Sequence, residues 1–181
     1  MNQDDLWKKR ASKYLYQSKW FNLRHDQVEL PSGSLIDYTF VDHPGYVMVV
    51  PLLDDGRVIL ERVYRYTVGQ TVLECPSGGL DGEPPEIAAI RELREETGWH
   101  AEKLTPLGSF FGSNGISNEV FHLFLATGLQ LVGNPLLEPT EQIELEFRNL
   151  SEVVELACSG EIKDGPSALA LILANNLENS R

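Results

Sequence analysis

The sequence predicts an α/β protein, with an α/β/α sandwich that follows a small antiparallel sheet. Residues 46–52 form a continuous apolar run, which is typical of a strand buried on both faces. Beyond this run, segments with strand-like alternation are interspersed with segments of helical spacing up to residue 176. Ahead of it, residues 13–30 and 34–41 alternate around a Pro-Ser-Gly-Ser turn, which predicts a hairpin or small sheet.

The predicted elements follow in chain order. The first is a short amphipathic helix over residues 4–12, ahead of the alternating segments. We expect two domains, over residues 1–45 and residues 46–181. After the apolar run, the predictions are strands over residues 57–66, 71–75, 102–111, 119–127 and 142–149, and helices over residues 84–97, 151–159 and 166–176.

The composition narrows the range of partners. A formal net charge of −12 argues against binding to a nucleic-acid backbone or an anionic membrane. No apolar run approaches the length that spans a bilayer, and the first ten residues lack the apolar segment of a signal peptide, so we expect a cytoplasmic location. The two cysteines, Cys75 and Cys158, are too few for a disulfide framework and lack metal-ligand spacing, which favours buried or inert thiols.

The most informative pattern is a glycine-rich loop that leads into a helix. Pro84 and the proline after it suit the first helical turn, where a missing N–H costs nothing. Gly98 suits a left-handed cap at the other end. On a helical projection, Ile87 and Ile90 lie on one side, and we expect that side to face the core.

Three carboxylates lie on the other side of this helix. At 100° per residue, Glu92, Glu95 and Glu96 fall within about a quarter-turn of one another. Like charges at this spacing destabilise a helix by roughly 0.2–0.5 kcal/mol per pair, so the cluster favours a bound cation. Carboxylates are ligands that Mg²⁺ and Mn²⁺ prefer. The alternative is an ordinary solvated face with pairs such as Arg91 and Glu95, but the whole string should arise by chance in roughly one such chain in several thousand.

Residues 83–99 resemble the signature box of the Nudix hydrolases, which reads Gly, five residues, Glu, seven residues, then Arg-Glu-apolar-x-Glu-Glu-x-Gly-apolar. From Glu83 to Trp99 every fixed position matches. Upstream the chain departs from the pattern, because Gly78 lies five positions before Glu83 where the box requires six. The resemblance implies a Nudix-type α/β/α sandwich with a mixed sheet.

The same resemblance implies a metal site. It assigns Glu92, Glu95 and Glu96 as ligands for Mg²⁺ or Mn²⁺. The family's loop usually supplies a backbone carbonyl as well, and here that carbonyl lies near Ser77. Arg91 would orient the glutamates by pairing with them, as groups behind a metal's ligands commonly do.

Three further stretches resemble the branch of the family that cleaves ADP-ribose and related nucleoside diphosphate sugars. They are residues 62–65, 73–78 and 115–119. The resemblance implies that Arg65 holds the diphosphate, since a guanidinium forks onto phosphate oxygens. It implies that Glu74 binds the distal sugar or orients Arg65. The alternative for Arg65 is a surface arginine paired with a neighbouring glutamate.

A glutamate on the loop before the last strand serves as the base that activates water in the resembling enzymes. Glu141 is the nearest match by its position before the Ile-Glu-Leu sequence, and Glu138 and Glu144 compete with it. A solvent-facing loop carboxylate is the alternative for Glu141. The predicted catalytic set is therefore Glu141, Glu95 and Arg91.

The N-terminal segment is predicted to serve substrate binding and assembly. Trp20 and Phe21, with Tyr38, have rings that could stack on a base, although core or dimer packing is the alternative. The resembling enzymes are homodimers in which this sheet crosses to the partner subunit, and we expect a homodimer here.

The predicted activity is metal-dependent hydrolysis of ADP-ribose, or of another nucleoside diphosphate sugar such as GDP-mannose, to a nucleoside monophosphate and a sugar phosphate. Asn114 stands where the ADP-ribose branch usually has proline, which leaves the preferred sugar open. Two alternatives remain. One is a Nudix pyrophosphatase for another nucleoside diphosphate derivative, and the other is a non-catalytic nucleotide-sugar sensor.

Overall fold

The computed structural model describes residues 6–137 and 142–180, and these residues form ten strands and three helices. They divide into two compact units. The first comprises the described residues up to Pro44 together with Phe111–Val120, and the second comprises Gly45–Phe110 and the described residues from Phe121 onward. In chain order the elements are β1 (Lys8–Gln17), β2 (Asn22–Glu29), β3 (Leu35–Asp42), β4 (Tyr46–Pro51), β5 (Arg57–Arg65), β6 (Gln70–Glu74), β7 (Ser77–Gly79), α1 (Pro85–Thr97), β8 (Trp99–Phe111), β9 (Val120–Leu131), β10 (Ile143–Asn149), α2 (Leu150–Ser159) and α3 (Gly165–Glu178).

The first unit is built on a three-stranded antiparallel sheet in the order β1-β2-β3, which confirms the predicted N-terminal sheet. The turn between β2 and β3 contains Gly33 with φ +84°, a left-handed conformation that glycine adopts at no steric cost. The predicted boundary between domains after residue 45 stays a prediction.

The predicted helix over residues 4–12 is wrong where the structure describes it, because Lys8–Gln17 is strand β1. Cross-strand pairs with β2 favour the strand: Arg10 forms an ion pair with Glu29 at 2.8 Å, and Ser12 donates to Asp26 at 2.5 Å. An isolated helix of nine residues is marginal in water, so this pairing outweighs its weak helical periodicity.

The second unit contains the predicted mixed sheet. In the order β7-β4-β9-β8, strand β4 is parallel to β9 and antiparallel to β7. A second sheet, β10-β5-β6, is antiparallel throughout. Strand β4 explains the apolar run, because Val47 and Val49 pack in one core cluster with α1 while Met48 and Val50 pack in another with α2 and α3. Helices thus cover both faces, as the predicted sandwich requires.

The predicted core face of α1 is wrong. Ile87 is 51% exposed, whereas Ala88, Ala89 and Leu93 are fully buried against β4. Two adjacent alanines let the helix backbone approach the sheet closely, and this packing leaves Ile87 exposed and Ile90 only partly buried. Consequently Glu92 lies on the buried side, beside core residues.

Two further observations concern the exposure of thiols and the length of helices. Cys75 is buried and Cys158 is exposed, and both are free. Burial raises the pKa of the Cys75 thiol. Within the described part of the chain, no helix is both long and apolar enough to cross a membrane.

Candidate active site

Helix α1 carries the carboxylates and is fixed at both ends. Prolines occupy its start, and Gly98 caps its end in a left-handed conformation, with φ +78° and its N–H donating to the Arg94 carbonyl. Gly98 also has a second role that the sequence pattern does not reveal. A Cβ placed there would lie 2.3 Å from the carbonyl oxygen of Gly133, because the segment after β9 runs against the helix end. The Leu136 N–H donates to the Glu95 carbonyl at 2.7 Å in the same segment.

The Arg91 guanidinium lies at the centre of the acidic cluster. Its Nε donates to Glu83 at 2.8 Å, and its Nη1 donates to Glu92 at 2.7 Å and to Glu95 at 3.1 Å. Its Nη2 donates to the Gly79 carbonyl at 2.9 Å. Partial burial alone lowers the pKa of Arg91, but the hydrogen bonds to Glu83 and Glu92 outweigh burial and raise it. Arg91 therefore stays charged and links the glycine loop to the carboxylates.

The glycine loop lies directly against the helix. The Ser77 N–H donates to Oε2 of Glu96 at 2.7 Å. A Cβ on Gly78 would lie 2.1 Å from Cδ of Glu92, so only glycine leaves room for that carboxylate. Glu92 and Glu96 are only 8% and 7% exposed, and their heads are held between the helix and the loop.

Arg65 and Glu74 form a forked pair beside this cluster. Arg65 Nε lies 2.9 and 3.1 Å from the two Glu74 oxygens, and a further contact joins its Nη2 to Oε2. Hydrogen bonds to Glu74 are the main reason that the pKa of Arg65 is raised; burial opposes them, and the charges of Glu96 and Asp164 add to them. The Glu74 side chain is buried, while that of Arg65 is 47% exposed. The pairing of Arg65 with a neighbouring glutamate, our alternative at the sequence level, is present and leaves part of the guanidinium accessible.

The predicted aromatic residues belong to the first unit. Trp20 and Phe21 line a cavity of about 390 Å³ within the first unit, together with Lys19 and His43 among others. Lys19 Nζ lies 4.6 Å from the centre of a Trp20 ring. The Tyr38 ring packs edge-on against Trp7, with centroids 6.1 Å apart, and its hydroxyl donates to a backbone carbonyl.

The base candidates are only partly covered by the structure. Glu138 and Glu141 lie outside the described residues. Glu144 is exposed on strand β10, at the register position opposite Arg62 of β5. Asn114 is exposed in the first unit.

The donor set fits a hard divalent cation. Three carboxylates lie within two turns of α1, next to the backbone of the glycine loop. Their oxygen atoms are ligands that suit Mg²⁺ or Mn²⁺ rather than softer metals. Among residues 6–137 and 142–180, no three acidic, histidine or cysteine side chains already converge as a ligand cluster. Instead Arg91 donates hydrogen bonds to Glu92 and Glu95, so these carboxylates would turn toward a cation when it binds.

Two residues near the site were missed at the sequence level. Ser167 and Asp164, at the start of α3, connect that helix to Cys75, which directly follows β6. The pattern Asp-x-x-Ser before an apolar run is typical of a helix start and could have located the cap. Its contact with Cys75, which is 92 positions away, has no local signal.

The fold and the helix with its glycine loop define the class of protein as a Nudix-type α/β/α sandwich. The NUDIX domain model matches residues 42–167, and a model described as Nucleoside diphosphate sugar hydrolase N-terminal domain matches residues 7–41. The first match covers more than half of the chain, so the chain belongs to the Nudix family. The predictions of family and fold class are confirmed.

Several curated proteins and a solved structure are similar to the chain. An ADP-ribose pyrophosphatase of Bacillus subtilis (strain 168) is 36% identical over 163 residues, covering 89% of the chain and 88% of the relative. A methanol dehydrogenase activator of Bacillus methanolicus is 32% identical, covering 87% and 86%. An ADP-ribose pyrophosphatase of Mycobacterium tuberculosis (strain ATCC 25618 / H37Rv) is 36% identical, covering 91% and 80%. A crystal structure of an ADP compounds hydrolase has a TM-score of 0.82 at 23% identity, covering 96% and 95%, which supports the fold.

Proposed function

We propose that this protein is a Nudix pyrophosphatase that hydrolyses ADP-ribose, or another nucleoside diphosphate sugar such as GDP-mannose, to a nucleoside monophosphate and a sugar phosphate. The observation that carries the proposal is the group of three carboxylates beside the glycine loop: Arg91 holds Glu92 and Glu95, and the Ser77 N–H holds Glu96. Bound Mg²⁺ or Mn²⁺ would neutralise charge on the diphosphate and activate water. The names of the relatives from Bacillus subtilis and Mycobacterium tuberculosis support this substrate class.

The chain's own residues have distinct tasks in this proposal. Glu92, Glu95 and Glu96 supply carboxylate oxygens to the cation, and the backbone near Ser77 supplies a carbonyl. Arg91 positions these ligands, since it bridges two of the carboxylates and the Gly79 carbonyl. Arg91 therefore keeps two of the proposed ligands close to the glycine loop, from where they would turn toward a bound cation.

Arg65 and Glu74 form the proposed contact with the rest of the diphosphate. Glu74 fixes the guanidinium of Arg65 through two nitrogens, and the exposed part of Arg65 remains accessible to a phosphate oxygen. A guanidinium that is already fixed loses little rotational freedom when it binds phosphate. Glu74 would then orient Arg65 rather than bind the sugar itself.

We propose Glu141 as the base that takes a proton from the attacking water, with Glu138 and Glu144 as the alternatives. A base for this step must come within hydrogen-bond reach of the water in the substrate complex. Single Glu→Gln variants at the three positions separate the candidates. The variant that lacks the base should have a kcat about 10²–10⁴-fold lower, with little change in KM. If none of the three variants has a lower kcat, none of these glutamates is the base.

The activity is tested by incubating purified protein with ADP-ribose or GDP-mannose and Mg²⁺, and separating the products by ion exchange. We expect a nucleoside monophosphate and a sugar phosphate in equal amounts, with no products in excess EDTA. A Glu95→Gln, Glu96→Gln double variant is the matched control, and full turnover by it would refute the role assigned to the helix. A ligand that binds tightly but stays intact after hours with Mg²⁺ would favour the sensor alternative.

We further propose a homodimer that uses the first unit, and base binding at the cavity lined by Trp20 and Phe21. All ten residues of β1 are exposed, including Tyr14 and Leu15, whereas one face of a strand is normally buried against other residues. Light scattering should give twice the chain mass of 20.3 kDa, and Leu15→Glu should shift it toward one chain. A monomer with wild-type activity would refute the dimer.

Trp20→Ala tests base binding at the cavity and should raise KM with little change in kcat.

We also propose a cytoplasmic location. The free and exposed thiol of Cys158 supports it, because such thiols persist in reducing compartments. Fractionation of cells that produce the tagged protein would test this, and recovery in a secreted fraction would contradict it.

A further inference from the structure

The segment from Glu74 to Gly79 is held by a different partner at almost every residue. The Glu74 carboxylate holds Arg65, the Pro76 carbonyl accepts from Val49 at 2.9 Å, and the Gly79 carbonyl accepts from Arg91. These contacts come from β5, β4 and α1. The remaining backbone donor near the start of the segment is the Cys75 N–H, and its partner comes from the far end of the chain.

That partner is the hydroxyl of Ser167 in the first turn of α3. Ser167 Oγ accepts from the Cys75 N–H at 2.9 Å and donates to Oδ2 of Asp164 at 2.6 Å. Asp164 also accepts from the Ser167 N–H at 2.9 Å and caps the helix. A hydroxyl has a single hydrogen, so donation to Asp164 leaves a lone pair directed at Cys75. Ser167 is fully buried, so bulk water does not compete for its hydroxyl, and the Met48 sulfur at 3.6 Å is a weaker acceptor than the Asp164 carboxylate.

We propose that Ser167 and Asp164 are positioning residues for the hydrolytic site, because they fix Cys75 and thereby the residues on either side of it. Glu74 precedes Cys75 and holds Arg65, while Ser77 follows it and donates to Glu96. The inference rests on the proposed function, since it assigns the pair an effect on metal and diphosphate binding. The competing role is a helix cap that contributes only to stability.

A small movement of the segment is enough to affect binding. Misplacement of about 1 Å at a reaction site can cost about 10²-fold in rate, and loss of a residue behind the metal ligands typically costs 10–100-fold in affinity or activity. Without the Ser167 hydroxyl, the Cys75 N–H and the Asp164 carboxylate each lose a buried partner. The segment would then shift to regain a partner, and Glu74 and Ser77 would shift with it.

The test measures Mn²⁺ affinity directly, by the electron paramagnetic resonance signal of free Mn²⁺, alongside kcat and thermal stability. For Ser167→Ala we expect a roughly tenfold higher Kd for Mn²⁺ and a lower kcat. Asp164→Ala should behave in the same way, whereas Asp164→Asn keeps an acceptor for both Ser167 groups and should stay within about threefold of wild type. Hydrogen exchange at the Cys75 amide should become faster in Ser167→Ala.

Val153→Ala is the matched control for stability alone. Val153 is fully buried on α2, in the core cluster that also contains Cys75. Its truncation lowers stability because it leaves a cavity. We expect it to lower the melting temperature while Mn²⁺ affinity stays at the wild-type value. If Ser167→Ala keeps wild-type Mn²⁺ affinity and kcat, or if Val153→Ala loses Mn²⁺ affinity equally, the positioning role is refuted. A wild-type protein that neither binds Mn²⁺ nor turns over would refute the proposed function, and this inference with it.

Discussion

Gly78 is the residue at which one added carbon should separate activity from stability. In Gly78→Ala the new Cβ would lie 2.1 Å from Cδ of Glu92. The atoms in the way belong to the end of a flexible side chain, so the carboxylate can swing aside at little cost in folding free energy. The displaced Glu92 carboxylate can no longer serve as a metal ligand. We therefore expect kcat/KM to fall by about 10²-fold with a nearly unchanged melting temperature.

Gly115→Ala is the control for Gly78→Ala, because a Cβ at Gly115 meets no atom within 4 Å and its φ is not positive. This variant should retain wild-type kcat/KM and stability. Equal activity in the two variants would show that Glu92 is not needed where the structure holds it.

Arg91→Lys tests whether four hydrogen bonds of the guanidinium are required. A lysine ammonium retains the charge but cannot reach Glu83, Glu92 and the Gly79 carbonyl at once. We expect the Mg²⁺ concentration for half-maximal activity to rise about 10- to 100-fold. Arg94→Lys, at an exposed position of the same helix, should leave the Mg²⁺ dependence unchanged. An unchanged dependence in Arg91→Lys would mean that charge alone suffices.

At the residue scale, local geometry determined what the sequence could reveal. Glu92, Glu95, Glu96 and Arg91 were predicted as one group because helical spacing fixes their proximity whatever the surrounding fold. Gly78 was noted only as a departure from the box, and its contact with Glu92 was not predicted. The bond from Cys75 to Ser167 joins residues far apart in sequence, and such a contact exists only once both sheet and helix are in place.

At the scale of elements, the two glycine caps of α1 and α2 form a natural pair for comparison. Gly98 and Gly160 both adopt left-handed conformations, with φ of +78° and +75°. A Cβ at Gly160 meets no atom within 4 Å, whereas one at Gly98 would clash with the Gly133 backbone. Gly160→Ala should therefore lower the free energy of unfolding by about 1–2 kcal/mol through conformation alone. Gly98→Ala should cost clearly more.

Urea denaturation of the two glycine variants measures this difference. Gly98→Ala should also perturb the segment near Leu136, whose N–H bonds the Glu95 carbonyl, and so reduce activity. Equal losses of unfolding free energy in both variants would contradict the close approach at Gly133.

The sheet of the first unit should weaken in acid because of Asp26. Burial alone raises the pKa of Asp26, but hydrogen bonds from Ser12 and Arg24 outweigh burial and hold it below the ordinary value of 3.8. A lowered folded-state pKa contributes stability that is present above about pH 3.8 and is lost as the pH falls below it. Asp26→Asn should cost roughly 1–3 kcal/mol at pH 7 and flatten the decline of stability in acid.

Denaturant unfolding at several pH values, followed by Trp7 and Trp20 fluorescence in a Trp99→Phe background, measures the effect of Asp26. Asp37→Asn is the control, because Asp37 is exposed on the same sheet and should leave both stability and its pH dependence near wild type. Identical acid profiles for wild type and Asp26→Asn would show that Asp26 does not carry this dependence.

The elements themselves show where periodicity succeeds and fails. The run at β4 was predicted correctly because both of its faces are covered, which removes alternation. The core face of α1 was predicted wrongly because side-chain size, with small Ala88 and Ala89 against the sheet, decided the rotation more than hydrophobicity. The first half of strand β1 was predicted as a helix because the pairing that stabilises it lies in β2.

At the scale of the whole molecule, the net charge of −12 makes it necessary to distinguish a bound cation from general screening. A ligand at 100 times its Kd stabilises the folded state by about 2.7 kcal/mol, which for a chain of this size raises the melting temperature by about 5–10 °C. We expect that rise with Mn²⁺, and a much smaller one with NaCl at equal ionic strength.

The Glu95→Gln, Glu96→Gln double variant is the control for this thermal shift. It should gain no more from Mn²⁺ than from NaCl, since two of the three proposed carboxylate ligands are neutral. A full shift in the double variant would indicate that the stabilising Mn²⁺ binds elsewhere on the acidic surface.

The unequal exposure of the two thiols means that they should react with a labelling reagent at different rates. An excess of a thiol reagent such as a maleimide should modify exposed Cys158 at once, whereas buried Cys75 reacts only when its surroundings open. Because Cys75 lies between Glu74 and Ser77, the slow phase of labelling times the opening of the very segment that supports the site. Added metal or substrate should lengthen that phase, so native cysteine chemistry reports ligand occupancy without an introduced probe.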